Sequence, residues 1–280
     1  MQFGVTMFPT DYAIDPVRLG REVEARGFDS LFFPEHTHIP TSRSSPFPSG
    51  GELPDEYKHT IDPFVALAAI ASTTTTLKLG TGILLVIQRD TITTAREVAS
   101  LDHISNGRFL FGIGAGWNRE EMANHGTEFP KRWRKMREQL LAMKELWTQE
   151  EAAYHGDFVD FDPVWQWPKP VQKPHPPIII GGDGPKATEA LLEYGDGWIP
   201  RPQDRFAPLA DRISTVNGLL AERGRGPVPI WVFGAPLDPA TIETWEKAGV
   251  GTCVFRLPPT DPDAALAALD QCSEVMRRFA

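Results

Sequence analysis

Pro177-Ile-Ile-Ile-Gly-Gly-Asp-Gly-Pro-Lys-Ala-Thr188 carries the reading of the fold, with Gly195-Asp-Gly-Trp198 one short helix later. Ile178, Ile179 and Ile180 are β-branched and contiguous, which suits a strand covered on both faces, as in a parallel sheet wrapped by helices. Gly181, Gly182 and Gly184 then free the backbone for positive φ and close approach of a ligand, and Pro185 fits the first helical turn, where its missing N–H costs nothing. Two readings stand. The helix start can bind phosphate through oriented amides and the helix dipole. Or it is a plain strand-to-helix turn capped by Asp183, whose carboxylate would repel an anion if it faced inward.

Outward from this stretch, the same alternation runs through the chain. Phe3, Val5 and Met7 open a first strand; Asp15 caps a helix with Pro16 at its first position, and Gly27 stops it. Ser30-Leu-Phe-Phe33 follows and delivers Pro34, Glu35, His36, Thr37 and His38 at its C-terminal end, where barrel enzymes keep their chemistry. Asp62-Pro63 starts a helix to Ala71, and 77–86 reads as a third strand with glycines at Gly80 and Gly82, where a strand rarely has them. A helix from Thr91 to Ser105 ends at Asn106-Gly107, a fourth strand spans Arg108 to Ile113, Arg119 to His125 reads as a loop, and a helix covers Pro130 to Thr148. Beyond 188, strands at 197–199, 229–233 and 251–255 alternate with helices at 204–223, 239–248 and 262–278. About eight strand-helix units predict a closed (β/α)8 TIM barrel, as a single domain over 1–280. Insertions interrupt it near 39–60, rich in Pro, Ser and Gly, and 150–176, where His155 to Phe161 reads as a hairpin. Both are expected to exclude water and select substrate, the first as a lid.

Composition narrows the function classes. The 280 residues carry a net charge of -9 and a pI near 5.3, so there is no basic face for nucleic acid and no attraction to anionic lipid. Cys253 and Cys272 have no metal spacing and no disulfide framework, which fits a reduced cytoplasmic protein, and no apolar run reaches membrane-spanning length. His36 and His38 form an H-x-H pair, half of a possible metal site, yet no histidine follows His175 to complete it from the last strands; no metal is expected. Gly112-Ile-Gly-Ala-Gly-Trp117 lacks the third spaced glycine and the acidic partner of a dinucleotide fingerprint. His36 alone reads equally as a packed, hydrogen-bonded residue or a proton-transfer group.

Six segments taken together resemble a known family: Gly27-Phe-Asp-Ser-Leu-Phe-Phe-Pro-Glu-His36, Leu79-Gly-Thr-Gly-Ile83, Glu97-Val-Ala-Ser-Leu-Asp-His-Ile-Ser-Asn-Gly-Arg108, Gly112-Ile-Gly-Ala-Gly-Trp117, Ile180-Gly-Gly182 and Gly195-Asp-Gly-Trp198. In this order they resemble the bacterial luciferase-like flavin and deazaflavin oxidoreductases, most of all the coenzyme F420-dependent branch, whose strand-eight ending is similar to Ala248-Gly-Val-Gly-Thr-Cys-Val-Phe-Arg-Leu-Pro258. The resemblance implies hydride transfer between the deazaflavin C5 and a small organic substrate, with His36 and the neighbouring Glu35 handling protons. It implies a non-proline cis peptide at Gly82-Ile83 behind the cofactor ring, Ala115, Gly116 and Trp117 near the cofactor, and Gly181, Gly182 and Gly184 as the phosphate cradle. Arg89, Arg119, Lys186 and Arg201 are cations available for the acidic F420 tail. Trp117 stands where the family's sugar-phosphate dehydrogenases place an acidic glutamate, which argues against that substrate and for an apolar wall. An FMN-dependent monooxygenase served by a separate reductase is the alternative on the same scaffold, and a non-catalytic flavin or deazaflavin carrier a further one. By analogy with the family, a homodimer is expected.

Overall fold

The computed structural model describes residues 1–203 and 207–279. Eight parallel strands form the central sheet: β1 Gln2–Thr6, β2 Ser30–Phe33, β3 Lys78–Thr81, β4 Phe109–Ile113, β7 Ile178–Gly181, β8 Gly197–Ile199, β9 Trp231–Phe233 and β10 Thr252–Arg256. They pair in the order β8-β7-β4-β3-β2-β1-β10-β9. Gln2 to Thr6 register with Thr252 to Arg256, so the two ends of the chain lie side by side. A parallel bridge between Trp198 and Ile230, with Trp198 N–H donating to Pro229 C=O at 3.0 Å, brings the outer edges of β8 and β9 together. The result is the (β/α)8 barrel that the alternation predicts.

The helices are α1 Pro16–Ala25, α2 Pro63–Ala71, α3 Thr91–Ile104, α4 Arg119–Asn124, α5 Arg132–Thr148, α6 Pro185–Tyr194, α7 Leu209–Glu222, α8 Pro239–Lys247 and α9 Pro262–Met276. Four of them begin with Asp-Pro: the side chains of Asp15, Asp62, Asp238 and Asp261 accept first-turn amides, while the following proline has no amide to satisfy. Asp204, the expected start of the α7 helix, lies outside the described residues. The main core lies between the sheet and the helices. A smaller cluster of Phe32, Leu110, Ile179, Ile199, Trp231 and Val254 fills the barrel interior. Gly80 is explained here: a Cβ on it would come within 2.3 Å of the Phe32 ring. No helix among the described residues is long and apolar enough to cross a membrane.

Three expectations are corrected. The third strand, expected over 77–86, stops at Thr81, and its expected last residue, Val86, opens a 3-10 turn, Val86–Gln88. Residues Arg119–Asn124 form α4, not a loop, because Asn118 caps it by accepting Glu121 N–H at 3.1 Å. The 150–176 excursion does contain an antiparallel hairpin, β5 Ala152–His155 with β6 Asp160–Val164. It does not sit over the barrel mouth. It leaves the end of α5 and enters the start of β7, so it belongs to the opposite face: Lys169 Nζ donates to Leu146 C=O at 2.8 Å and Gln172 Nε2 to Phe109 C=O at 2.8 Å. The hairpin tip lies along the outside of α5, where Phe158 N–H meets Glu138.

Candidate active site

The C-terminal strand ends converge on the segment after β3. The Gly82-Ile83 peptide is cis. Gly82 N–H donates to Phe33 C=O at 2.8 Å and Glu35 N–H to Ile83 C=O at 3.2 Å, which ties this segment to the end of β2. Ile83, half-buried, projects between the β4 and β7 ends, and only glycine leaves room for it. A Cβ on Gly114 would lie 2.7 Å from its side chain, and one on Gly181 2.8 Å.

His36 stands beside this segment. Its Nδ1 lies 2.8 Å from Oε2 of Glu121, a side chain with no solvent exposure on α4. The other Glu121 oxygen accepts Thr37 N–H at 3.1 Å. A carboxylate that only accepts makes His36 Nδ1 the donor, and Nε2 then has no protein partner among the described residues. Rings surround the imidazole: Tyr57 at 5.1 Å and Trp117 at 5.8 Å between centroids, with Phe47 over both. Phe47 and Tyr57 come from 39–60, so that insertion covers His36 as a lid would. Burial raises the Tyr57 phenol above its ordinary value, which keeps it a neutral hydrogen-bonding group. Behind His36, Thr37 Oγ1 lies 2.8 Å from His125 Nε2, and burial together with His38 pulls His125 below the usual histidine range.

Glu35 is placed elsewhere. Only 4% exposed, it accepts Leu85 N–H at 2.7 Å and pairs with the Arg89 guanidinium through Nε, at 2.7 Å, and Nη2. Burial pushes this carboxyl upward, against the pull of Arg89 and the Leu85 amide. It braces the backbone after the cis peptide and does not reach the mouth. Arg89 also contacts Asp62 and Glu97; burial would lower its pKa, but the Glu35 and Asp62 carboxylates outweigh burial and raise it, so it stays charged and committed to them, not available to an acidic cofactor tail. Glu121 is the residue that the sequence reading missed. Asn118-Arg-Glu-Glu121 has the spacing of a capping box, which would have located the helix that presents it.

At the β7 end, α6 differs from the four Asp-Pro helices. Its cap is Gly184, with no side-chain cap. Among the described residues, the amides of Asp183, Gly184 and Lys186 donate to no protein acceptor. Gly182 holds φ at +118°, a conformation suited to glycine. Asp183 does not cap the helix and does not face an incoming anion. Its carboxylate, 1% exposed, accepts Arg201 N–H and Nε and pairs with Arg212. An uncapped helix start with free amides, and with its nearest carboxylate already neutralised, fits a phosphate. Lys186 and Arg201 stay at this end, Arg201 on Asp183 and Lys186 paired, among the described residues, with Glu189 at the surface. Arg119 lies over the Phe129 ring at 4.2 Å.

The model of the luciferase-like monooxygenase family matches residues 6–242. An uncharacterized protein of Mycobacterium tuberculosis is 38% identical over 276 residues, covering 97% of each chain. The F420-dependent hydroxymycolic acid dehydrogenase of that organism is 29% identical over 153 residues, 54% of this chain and 42% of that one. Among solved structures, the monooxygenase RslO1 from Streptomyces bottropensis superposes over the whole of both chains with a TM-score of 0.84 at 20% identity, a likeness of fold. With the family model matched from β1 to α8, the chain belongs to the luciferase-like monooxygenase family.

Proposed function

We propose that this chain is an oxidoreductase that binds coenzyme F420 and exchanges a hydride with a small organic substrate. One juxtaposition carries the reading. The unpartnered amides at the start of α6 and the His36 imidazole, oriented by Glu121, open on the same barrel face, with Ile83 between them. The amides of Asp183, Gly184 and Lys186 would hold the cofactor phosphate. When bound, F420 supplies a carbon-centred hydride donor or acceptor that does not readily activate oxygen. His36 Nε2 would give or take the proton at the substrate heteroatom, and Glu121 keeps the other nitrogen protonated. Trp117, Phe47 and Tyr57 exclude water from this proton transfer. Relatives dependent on F420 and on FMNH2 both match part of the chain, so the choice of F420 rests on the resemblance of the strand-eight ending, Ala248 to Pro258, to the F420-dependent branch.

Parallel titration of the protein with F420 and with FMN, followed by fluorescence quenching, tests the reading. Tight binding of F420 alone is the expected result. Preference for FMN, with oxygen uptake when a flavin reductase is supplied, would replace it by a monooxygenase. Binding of both without turnover of any substrate would leave a carrier, and binding of neither would remove the cradle from the argument.

A further inference from the structure

Beside the His36 site the barrel mouth holds a second, smaller feature. A cavity of about 240 Å³ is walled by Met7, Phe8, Pro34, Tyr57 and Phe233, with Gly82 at its edge. One charged side chain lines it, Arg256, at the last position of β10. We propose that this cavity seats a small substrate carrying a carboxylate, and that Arg256 is the residue that holds that group. The proposal rests on the oxidoreductase reading for what becomes of the bound molecule, but not for where it binds.

Three observations carry it. Arg256 has donors to spare: Nη2 donates to Glu56 at 2.7 Å, and among the described residues neither Nε nor Nη1 donates to any acceptor, the side chain being 54% exposed and open to a ligand. A guanidinium has five N–H donors, and its planar fork matches a carboxylate. Its surroundings strengthen such a bond. The Arg256 guanidinium lies 5.9 Å from the centre of the Phe8 ring, and the remaining walls are mostly apolar, so a ligand body seated against them would itself cover the guanidinium and displace water from a charge-assisted hydrogen bond there.

The third observation is the connection to His36. Glu56 is 15% exposed and belongs to the lid turn Asp55–Lys58, and the next residue is Tyr57. Tyr57 walls the cavity on one side and stacks near His36 on the other. The Glu56–Arg256 pair therefore fastens the lid turn to the barrel while leaving donors for a second carboxylate. A molecule held by Arg256 extends over Tyr57 and Phe233 toward Gly82, the edge shared with the His36 site. Ligand pockets commonly span about 300–1,000 Å³, so this one admits a single ring or short chain. The apolar Trp117 beyond suits such a body better than a sugar.

Calorimetric titration with trans-cinnamate and with cinnamamide, a matched pair differing in the charge of one group, tests the site. It is run on the cofactor-free protein and on protein saturated with whichever of F420 or FMN binds. The wild type should bind cinnamate about tenfold or more tightly than cinnamamide, the scale of one charge-assisted hydrogen bond. R256Q should abolish the difference while keeping its thermal midpoint and its cofactor affinity within about twofold, and R256K should retain part of it. Equal binding of the two probes, binding of neither, or discrimination that survives in R256Q would overturn the proposal. So would a loss of cofactor affinity in R256Q, which would assign the arginine to a carbonyl of the cofactor ring. Failure of both cofactors to bind would sink the oxidoreductase reading, while cinnamate binding to the cofactor-free protein would still decide this one.

Discussion

The two ends of the barrel treat hydrogen bonds in opposite ways. At the N-terminal face, charged side chains bind the backbone of neighbouring elements. Asp29 accepts Phe3 N–H at 2.8 Å, and Asp196 accepts Ile178 N–H at 2.9 Å. Arg108 reaches the carbonyls of Ala71, Thr74, Leu77 and Ser105, and Arg225 those of Leu191, Leu192 and Gly195. At the C-terminal face, the amides of Asp183, Gly184 and Lys186, the His36 Nε2 and two donor nitrogens of Arg256 have no protein partner among the described residues. One end is closed by its own groups; the other keeps its groups free for a ligand. Substitutions at the two ends should accordingly move different measurements.

The largest expected effect belongs to the open end. His36→Ala should lower turnover by about 10²- to 10⁴-fold, the range of a lost general acid or base, while F420 affinity stays within about twofold. Steady-state rates beside a cofactor titration check this, and unchanged turnover would remove His36 from the chemistry. At the closed end, Arg108→Ala strips hydrogen bonds from four carbonyls of three segments and should lower stability by about 3 kcal/mol. For a barrel of this size that is a fall of roughly 6–12 °C in the thermal midpoint, with turnover of the folded enzyme unaltered at low temperature. A loss of turnover without a fall in midpoint would break the division.

Glu121 belongs to the open end although it is fully buried, because its contacts are with the mouth. Glu121→Gln preserves the volume but no longer offers His36 a carboxylate. It should reduce kcat by about 10- to 100-fold with KM little changed, since it acts through the orientation of His36. In the double variant His36→Ala, Glu121→Gln, the second change should add almost nothing, as expected for two groups acting as one unit. An additive loss would show that Glu121 acts independently of His36.

Much of the scaffold was legible because its signals are local. Asp-Pro pairs mark four helix starts, and Ile178 to Ile180 read as a doubly covered strand. The site was harder, since its partners are distant in sequence: His36 and Glu121 are 85 residues apart. Glu35 was misassigned for an elementary reason. Neighbours in an extended segment point to opposite sides, so when His36 faces the mouth, Glu35 faces the core. The 150–176 excursion was misplaced although the order of elements was sufficient to place it. A segment that leaves a helix and enters a parallel strand must lie at the strand starts, away from the mouth.

Glu24 gives the smallest effect and the sharpest check on the closed end, because its signature is a pH dependence of known sign. Its Oε1 accepts the amides of Thr75, Thr76 and Leu77 at 2.8, 2.7 and 2.9 Å, and the Thr76 hydroxyl at 3.1 Å, fastening the end of α1 to the start of β3. Burial alone would raise this carboxyl; the hydrogen bonds outweigh burial and take it from 4.5 down to about 2. A folded-state value below the unfolded one means that the contribution is complete above pH 4.5 and is lost as pH falls toward 2. Glu24 is partly exposed, so solvent screening limits the effect of Glu24→Gln to about 1 kcal/mol at neutral pH, or roughly 2–4 °C. That gap between wild type and variant should narrow on acidification and close near pH 2. A gap of the same size at pH 7 and pH 3 would mean that the carboxylate charge is not what holds the turn, and that an amide oxygen serves this face of the barrel equally well.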